Sequence, residues 1–436
     1  MYVVINMAFN ALKDWNVWWT ESSAVKKLSG VERNQTDQLF EFLKIREVKI
    51  ITGVRRSGKS TLMYQIIGEL LARDTKPENL LFINFEDSRL RKQDVGEVFN
   101  IYLREVSPAG KIFLFLDEVQ HSKDWWFFIR KNYDLKKEIS FFVSGSSSEL
   151  LPKEYSSLLT GRNVSFEVFP LSFREFLKFR EFPVEELKLN FITTETENRI
   201  RHLLKEYLLY GGFPEVVLKE KNFKNILLNQ YFTDIINKDI VNRYNTNFTK
   251  TFDLAKYLLT NVSNLFSFRS ARAATGLGME TIEKYLSYIT ESYLVSLVPF
   301  FSHSLKIQNQ HPKKVYSIDT GLRNAVSFKF SEDVGRVAEN LVFIELKRRG
   351  KEAYYWKGKQ EVDFVIKENL KPARLIQVSW DIENEKTKNR EVNALLEGMN
   401  EFKLSEGLII TGDYSGEEEI SGKTIKYVPL WRWLLD

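Results

Sequence analysis

Five short apolar runs recur between residues 48 and 169, and stretches with helical spacing separate them. The runs read KIIT, LLFINFED, IFLFLDE, SFFVSG and VSFEVFP. Runs of this length are typical of strands that are buried on both faces of a parallel sheet. Because they alternate with helices, we predict an α/β fold with a parallel sheet over residues 46–180.

Helical spacing dominates most of the remaining chain. We predict a helical segment over residues 1–45 and a helical connector over 181–249, interrupted by the turn GGFP. Residues 250–330 predict small helices followed by a short strand pair. Residues 331–436 predict a helix, strands, a second helix and further strands, which indicates a second, smaller α/β domain. A chain of 436 residues is expected to contain several domains.

Composition narrows the class of protein. The absence of cysteine excludes disulfide scaffolds and thiolate metal sites, and the four histidines are scattered. The longest apolar runs are about five residues, whereas a membrane-spanning helix needs about 20. The N-terminus lacks the pattern of a signal peptide. We therefore expect a cytoplasmic protein without a membrane partner, and the net charge of +5 permits nucleic acid as a partner.

A glycine-rich basic segment follows the first predicted strand and opens a helix. It fits the pattern G-x-x-x-x-G-K-[ST], in which backbone N–H groups cradle phosphates, the lysine neutralises phosphate charge and the hydroxyl holds Mg²⁺. The sequence therefore predicts a site for ATP and Mg²⁺. The predicted ATP-binding residues are Gly53, Val54, Arg55, Arg56, Ser57, Gly58, Lys59, Ser60 and Thr61.

Two adjacent acids end the third predicted strand, IFLFLDE. The strand would deliver Asp117 to the carboxyl edge of the sheet, where it holds Mg²⁺ together with Ser60. Glu118 is placed to polarise the attacking water, and Lys59 to stabilise the charge that develops on the phosphates. This pair of acids favours an ATPase over a GTPase or a small-molecule kinase.

Two further residues are candidates for the same site, and neither motif is specific. Ser144 or Ser146, at the end of the next strand, is a candidate to contact the γ-phosphate or the water, although a Ser-Gly-Ser turn is often only a turn. Arg162 precedes the fifth strand and is a candidate catalytic arginine, acting in cis or in trans. A plain surface arginine is the alternative. Arg55 and Arg56 face phosphate, another domain or solvent, and the motif does not decide between these.

Six segments, in order along the chain, carry a family resemblance: ITGVRRSGKSTL, LDEVQ, VSGSSSELL, LTGR, FPLSFREF and YGGFPEVV. Together they resemble the AAA-type ATPases of archaea and bacteria that carry a C-terminal winged helix and a restriction-endonuclease-like domain. The resemblance covers nearly the whole chain. It implies an ATPase core of the Asp-Glu class, with Lys59, Ser60, Asp117 and Glu118 at the functional positions.

Residues 266–301 have the plan of a helix-turn-helix. A short helix meets the turn Gly276-Leu277-Gly278, a second helix follows, and two strands joined by a basic loop would form a wing. Residues 250–330 hold ten Lys or Arg against five Asp or Glu. Glu280 and Glu283 on the second helix count against insertion into a DNA groove, and winged helices also serve in protein contacts. The nucleic-acid candidates are Arg269, Arg272, Lys284, Lys313 and Lys314.

The C-terminal domain resembles nucleases of the PD-(D/E)xK class, which use acids and a lysine around Mg²⁺. Glu339 lies on a predicted helix, Asp363 on a strand, and Gln377 stands where the second acid is expected. Ser379 replaces the lysine and cannot supply its charge. We predict a degenerate nuclease-like domain over residues 331–436 with weak cleavage or none, unless a lysine such as Lys359 or Lys371 moves into the site.

Three functions remain open on these residues. The leading hypothesis is an ATP-hydrolysing protein that acts on or with DNA. The second is a nucleotide-gated switch of the STAND type, with slow turnover, and the third is an active ATP-dependent nuclease. If Arg162 acts in trans, the protein has to form a homo-oligomer. Association with a partner protein is the alternative to a homo-oligomer.

Overall fold

The computed structural model divides the chain into two compact units, residues 1–168 and 169–436. The described residues are 2–147, 159–189, 191–327 and 334–436. The segment limits expected at residues 45, 180 and 249 stay predictions, and the limit between 330 and 331 falls outside the described residues.

A five-stranded parallel sheet forms the centre of the first unit, with the strand order β2-β3-β4-β1-β5. The strands are β1 (Val48–Thr52), β2 (Leu80–Asn84), β3 (Ile112–Asp117), β4 (Ile139–Ser144) and β5 (Asn163–Glu167). Successive residues point to opposite faces, so that Ile50 packs into one hydrophobic core and Ile51 into the other. The prediction of a parallel α/β sheet is confirmed.

Helices cover both faces of this sheet. They are α1 (Tyr2–Trp15), α2 (Lys26–Ser29), α3 (Gln35–Glu41), α4 (Lys59–Ala72), α5 (Val95–Val106) and α6 (Trp125–Asp134). Residues of α1, α5 and α6 fill one core, and residues of α4 fill the other. The sheet is thus buried between two helical layers, as its apolar strands require.

The N-terminal segment covers one edge of the sheet, the strand β2. Asn16 exchanges hydrogen bonds with the backbone of Phe82 on the edge strand β2, at 2.8 and 2.7 Å. The indoles of Trp18 and Trp19 donate to the Leu80 carbonyl at 3.1 and 3.0 Å. These contacts satisfy backbone groups that an edge strand otherwise leaves unpaired. The segment is therefore an integral part of the first unit.

Helices form the first half of the second unit. They are α7 (Phe173–Phe179), α8 (Thr194–Tyr210), α9 (Pro214–Val217), α10 (Lys221–Asp234), a π-helix (Ile235–Val241), α11 (Asn242–Tyr244) and α12 (Phe248–Thr260). Gly211 ends α8 with a φ of 70°. A Cβ at Gly211 would lie 2.0 Å from the carboxylate of Asp319, so only glycine fits there.

Two helices and a two-stranded antiparallel sheet follow. These elements are α13 (Phe268–Thr275), α14 (Met279–Glu291), β6 (Val295–Val298), α15 (Leu305–Gln310), β7 (Lys314–Ser317) and α16 (Thr320–Val326). Gly276, in the left-handed conformation, ends α13. All of β7 is buried, so this strand lies inside the unit and is not a projecting wing.

The C-terminal part contains a six-stranded mixed sheet with the order β12-β13-β11-β10-β9-β8. Its elements are α17 (Val334–Arg348), β8 (Glu352–Lys357), β9 (Glu361–Glu368), β10 (Lys371–Ser379), α18 (Glu385–Glu401), β11 (Glu406–Thr411), β12 (Gly416–Ile420), β13 (Lys423–Pro429) and α19 (Leu430–Leu435). The strands β8, β9 and β10 are antiparallel, whereas β10 runs parallel to β11. Among the described residues, no helix is long and apolar enough to cross a membrane.

Candidate functional site

The loop between β1 and α4 has the backbone conformation of a phosphate cradle. Gly53 and Gly58 have φ values of 137° and 99°, which other residues rarely adopt. A Cβ at Gly53 would lie 2.2 Å from the Val168 carbonyl, so the loop passes close to neighbouring backbone. The loop turns directly into the N-terminus of α4, where free N–H groups and the helix dipole favour an anion.

Lys59 lies over this loop. Its side chain is buried, and Nζ donates to the carbonyls of Gly53 and Val54 at 3.1 and 3.3 Å. The same Nζ lies 3.9 Å from Glu118 Oε1. The ammonium is thus held between the loop and the end of β3, where a phosphate group would need a counter-charge.

The carboxylate of Asp117 joins the ends of β3 and β4 to the first turn of α4. Ser60 Oγ donates to Asp117 Oδ2 at 2.7 Å, and Ser144 Oγ donates to Oδ1. The Glu118 N–H donates to Ser144 Oγ at 3.0 Å. Burial, reinforced by the charge of Glu118, raises the pKa of Asp117 to about 6. Hydroxyl and carboxylate oxygens in this arrangement are the ligands that Mg²⁺ prefers. The predicted ATP-binding residue Thr61 follows Ser60 on α4 and is half-buried.

Glu118 takes up a left-handed backbone conformation, with a φ of 50°. Its side chain is mostly buried and accepts a hydrogen bond from Gln120 Nε2 at 2.5 Å. His121 and Glu86 also lie here, and one ligand atom from each lies within 4.8 Å of a Glu118 oxygen and of each other. Burial, followed by the charge of Arg91, lowers the pKa of His121. The sequence analysis missed Gln120 and His121, although both lie within three residues of the acidic pair.

The two arginines of the loop point in different directions. Arg55 is buried, and its Nη1 forms an ion pair with Glu86 Oε1 at 2.9 Å, beyond the end of β2. Arg56 is exposed and left-handed, with a φ of 71°. The carbonyl of Ser57, whose side chain is buried, accepts from Arg33 Nη1 at 2.8 Å. Arg33 therefore braces the loop from the N-terminal segment, and no motif in the sequence indicated it.

Arg162 does not lie at this site within the chain. It lies at the amino end of β1, where its carbonyl accepts the Val48 N–H at 2.8 Å, and its Nε pairs with Asp134 at 3.1 Å. The loop begins at the opposite end of β1, about 13 Å further along the strand. Of the alternatives for Arg162, this position disfavours action on its own chain's nucleotide, because a residue that precedes a parallel strand lies at the amino edge, and action in trans stays a prediction.

The predicted nucleic-acid residues separate into two groups. Arg269, Arg272, Lys284 and Lys313 are exposed. Lys314 is not, since its side chain is only 2% exposed and pairs with carboxylates. The prediction that Lys314 contacts phosphate on a wing is wrong, because it belongs to the buried strand β7.

Lys314 joins the predicted nuclease-like residues instead. Its Nζ lies 3.0 Å from Glu339 Oε1 and 3.1 Å from Asp363 Oδ1. Glu361, which the sequence analysis missed, completes the group at 2.7 Å. Burial opposes the charge of Lys314, but Glu339 and the other carboxylates raise its pKa well above the usual value. Burial and the charge of Asp363 raise the pKa of Glu339 to about 7.

Gln377 lies beside this cluster. Its Oε1 accepts the Asp363 N–H at 3.1 Å, and its Nε2 donates to Glu391 Oε2 at 2.5 Å. Burial raises the pKa of Glu391. Ser379 donates to the Asp381 carbonyl at 3.2 Å. Gln377 is thus engaged as a structural amide between a strand and α18.

Comparison with protein families divides the chain into three regions. Residues 45–177 match AAA_14, an AAA domain. Residues 201–333 match DUF8612, and residues 334–433 match DUF4143, both of which are domains of unknown function. The first match coincides with the sheet and the loop described above, so the chain carries a P-loop ATPase domain.

Curated relatives match over most of their length. The uncharacterized protein MJ1544 of Methanocaldococcus jannaschii is 35% identical over 407 residues, which cover 89% of this chain and 88% of that protein. An uncharacterized protein of Haemophilus influenzae is 29% identical over 410 residues, covering 91% and 97%. The protein MJ1637 of M. jannaschii is 23% identical over 426 residues, covering 89% and 85%.

Solved structures show a more distant likeness. AMPPCP-bound DnaA from Aquifex aeolicus is 16% identical, with 61% of this chain and 91% of that chain covered and a TM-score of 0.27. The Saccharomyces cerevisiae Hsp104:casein complex is 13% identical, with 59% and 48% covered and a TM-score of 0.30. At these TM-scores the likeness carries no argument about function.

Proposed function

The chain belongs to the family of the M. jannaschii protein MJ1544 and carries an AAA-type ATPase domain, and from this premise we propose that it binds ATP with Mg²⁺ and hydrolyses it to ADP and phosphate. The observation that carries the proposal is the network in which Asp117 joins Ser60 to Ser144 beside Lys59. This network brings the Lys59 ammonium, two candidate metal ligands and the Glu118 carboxylate together at the carboxyl edge of the sheet.

Each residue of this network has a distinct task in the proposed reaction. The backbone N–H groups of the loop and Lys59 bind and orient the phosphates. Ser60 and Asp117 would hold Mg²⁺, which neutralises charge on the β- and γ-phosphates when bound. Glu118 accepts a hydrogen bond from the attacking water, and Gln120 fixes its carboxylate. Ser144 orients both Asp117 and the backbone of Glu118.

Two substitutions test this proposal by separating binding from turnover. Lys59→Ala should weaken ATP binding and lower hydrolysis by at least about 100-fold, whereas Glu118→Gln should keep binding and lower turnover by a similar factor. Binding is measured with a fluorescent ATP analogue and turnover by phosphate release. Lys137→Ala and Glu138→Gln are matched controls, because both residues are exposed near the amino edge of the sheet. Unchanged turnover in Glu118→Gln would refute its role.

We propose further that the second unit binds nucleic acid through α13, α14 and the loop before β7. The proposal is supported by Arg269, Arg272, Lys284 and Lys313, which are all exposed. Cations of this kind contact phosphates and position a protein on DNA without reading its sequence. Lys314, the fifth candidate from the sequence, is left out of this surface because it is buried and paired with carboxylates.

A nucleotide-gated switch with slow turnover is the second candidate. The position of Arg162 favours it, because a chain whose arginine lies at the amino edge has no help from that residue in its own site. In a homo-oligomer, Arg162 could act on a neighbouring copy, and turnover would then rise steeply with protein concentration. Tight retention of ADP, with a turnover that depends neither on concentration nor on DNA, would support the switch.

We propose that the C-terminal part is nuclease-like in fold and does not cleave nucleic acid. Two observations support this proposal: Gln377 is engaged with Asp363 and Glu391, and the lysine that lies beside Asp363, Lys314, is itself held by three carboxylates. Incubation of the full chain with duplex and single-stranded DNA, with Mg²⁺ or Mn²⁺, should leave both intact. Cutting that disappears in Asp363→Ala would refute it and favour the active nuclease.

A further inference from the structure

One ammonium group lies at the centre of three carboxylates in the second unit. Lys314 Nζ lies 3.0 Å from Glu339, 2.7 Å from Glu361 and 3.1 Å from Asp363. An ammonium has three N–H donors and no acceptor. Lys314 Nζ donates hydrogen bonds to Glu339 and Asp363, and Glu361 adds a third negative charge as an ion pair.

The surroundings hold the carboxylates in this orientation. Glu339 Oε1 also accepts from Tyr316 Oη at 2.7 Å, and Asp363 Oδ2 accepts from the Val378 N–H at 3.0 Å. Both carboxylates are mostly buried, at 11% exposure, whereas Glu361 is 29% exposed. The oxygens consequently converge on one point, and Glu361 is the carboxylate of the three that is most open to solvent.

Three separate elements meet at that point. Lys314 comes from β7, Glu339 from α17, and the other two acids from β9. Further contacts join β7 to α17, since Asn340 exchanges hydrogen bonds with the backbone of Ser317 at 2.7 and 3.1 Å. The cluster thus fastens the two-stranded sheet to the C-terminal sheet.

Carboxylates that converge on one point commonly bind a divalent metal, at oxygen distances of about 2.0 to 2.6 Å. Here the point is taken by Nζ, and a divalent ion beside it would meet a fixed positive charge. We infer that Lys314 is the resident cation of this acidic cluster and takes the place of a divalent metal, so that the cluster accepts Mg²⁺ or Mn²⁺ only when the lysine is removed. This inference does not depend on ATP hydrolysis.

The test measures Mn²⁺ binding by electron paramagnetic resonance on the full chain without nucleotide. Every chain carries Asp117→Asn and Glu118→Gln, which remove the carboxylate ligand of the ATP site and break up the group of Glu86, Glu118 and His121. We expect no bound Mn²⁺ in this parent and one equivalent after Lys314→Ala, because the substitution leaves three oriented carboxylates without a cation. Adding Asp363→Asn to that variant should abolish binding. Lys313→Ala, at the exposed neighbouring position, should gain none.

Two outcomes would overturn the inference: Mn²⁺ bound by the parent and lost with Asp363→Asn, or a folded Lys314→Ala variant that binds none. Lys314→Ala leaves buried charge unpaired and is expected to lower the melting temperature. Mn²⁺ should raise that temperature again. Where the variant does not fold, refolding with Mn²⁺ is compared with refolding in EDTA. Recovery in Mn²⁺ alone supports the inference, and recovery in neither contradicts it.

Discussion

The buried carboxylate of Asp319 is stabilised by hydrogen bonds, and its contribution to stability depends on pH. It accepts hydrogen bonds from the N–H groups of Gly212 and Leu322, at 2.7 and 2.9 Å, and begins α16. Burial nevertheless outweighs these bonds and raises the pKa of Asp319 to about 6. The folded protein therefore holds this proton more tightly than the unfolded chain does.

We predict that Asp319→Asn changes the pH dependence of stability. A carboxyl group whose pKa is higher in the folded state destabilises the fold as pH rises from about 4 to about 6. Relative to Asp319→Asn, the wild-type chain should thus lose up to about 3 kcal/mol of unfolding free energy between pH 4 and pH 7. Urea unfolding at both pH values measures this. Asp253→Asn, at an exposed position, is the control, and a difference independent of pH would contradict the prediction.

The edge strand β2 of the first unit depends on side-chain contacts that the strand propensity of its own residues does not reveal. The edge strand β2 is completed by Asn16, which is 1% exposed and also donates to the Leu12 carbonyl at 2.7 Å. A side chain here replaces the neighbouring strand that a central strand would have. The N-terminal segment therefore pairs with the edge of the five-stranded sheet, as a sixth strand would, although it is not a strand.

We predict that Asn16→Ala destabilises the first unit by about 2 to 4 kcal/mol, because it removes three hydrogen bonds and leaves the N–H and C=O of Phe82 unpaired. Thermal unfolding, followed by the fluorescence of the neighbouring tryptophans, measures this. Asn100→Ala on the exposed face of α5 should be neutral. Equal stability of both variants would show that β2 does not need this cover.

Strand ends were predictable from the sequence, and side-chain partners across the chain were not. Apolar runs located the five parallel strands, and the motif residues Lys59, Ser60 and Asp117 converge because strand polarity places them at one edge. The same polarity also applies to Arg162, and applied there it predicts the amino edge. The partners of Arg33 and Lys314 lie 24 to 49 residues away, and no local pattern encodes such pairs.

Charge over the whole molecule is distributed differently from its distribution along the sequence. Residues 250–330 hold ten basic residues, but Lys314 and Arg323 are buried. Glu280 and Glu283 are exposed on α14 beside Lys284. Residues 250–330 consequently present a smaller cationic surface than the sequence suggests, and α13 contributes Arg269 and Arg272 to it.

We predict that replacing Arg269, Arg272 and Lys284 together by alanine weakens DNA binding about 10- to 100-fold and reduces its salt dependence, because phosphate contacts release counterions. It should also abolish any stimulation of ATP hydrolysis by DNA. Fluorescence anisotropy with single-stranded, duplex and branched DNA measures the affinity. The charge-matched control replaces the exposed Lys205, Lys219 and Lys221. Equal losses in both variants would contradict a specific surface.

The ion cluster around Lys314 also constrains how this protein can be divided and recombined. The family regions meet between residues 333 and 334, so a cut at that boundary separates Lys314 from Glu339, Glu361 and Asp363. One piece would then carry an unpaired lysine, and the other three converging carboxylates. A gene fusion that exchanges either region alone inherits this imbalance. The two-stranded sheet of β6 and β7 and the C-terminal sheet therefore have to be inherited together, although they match two different families.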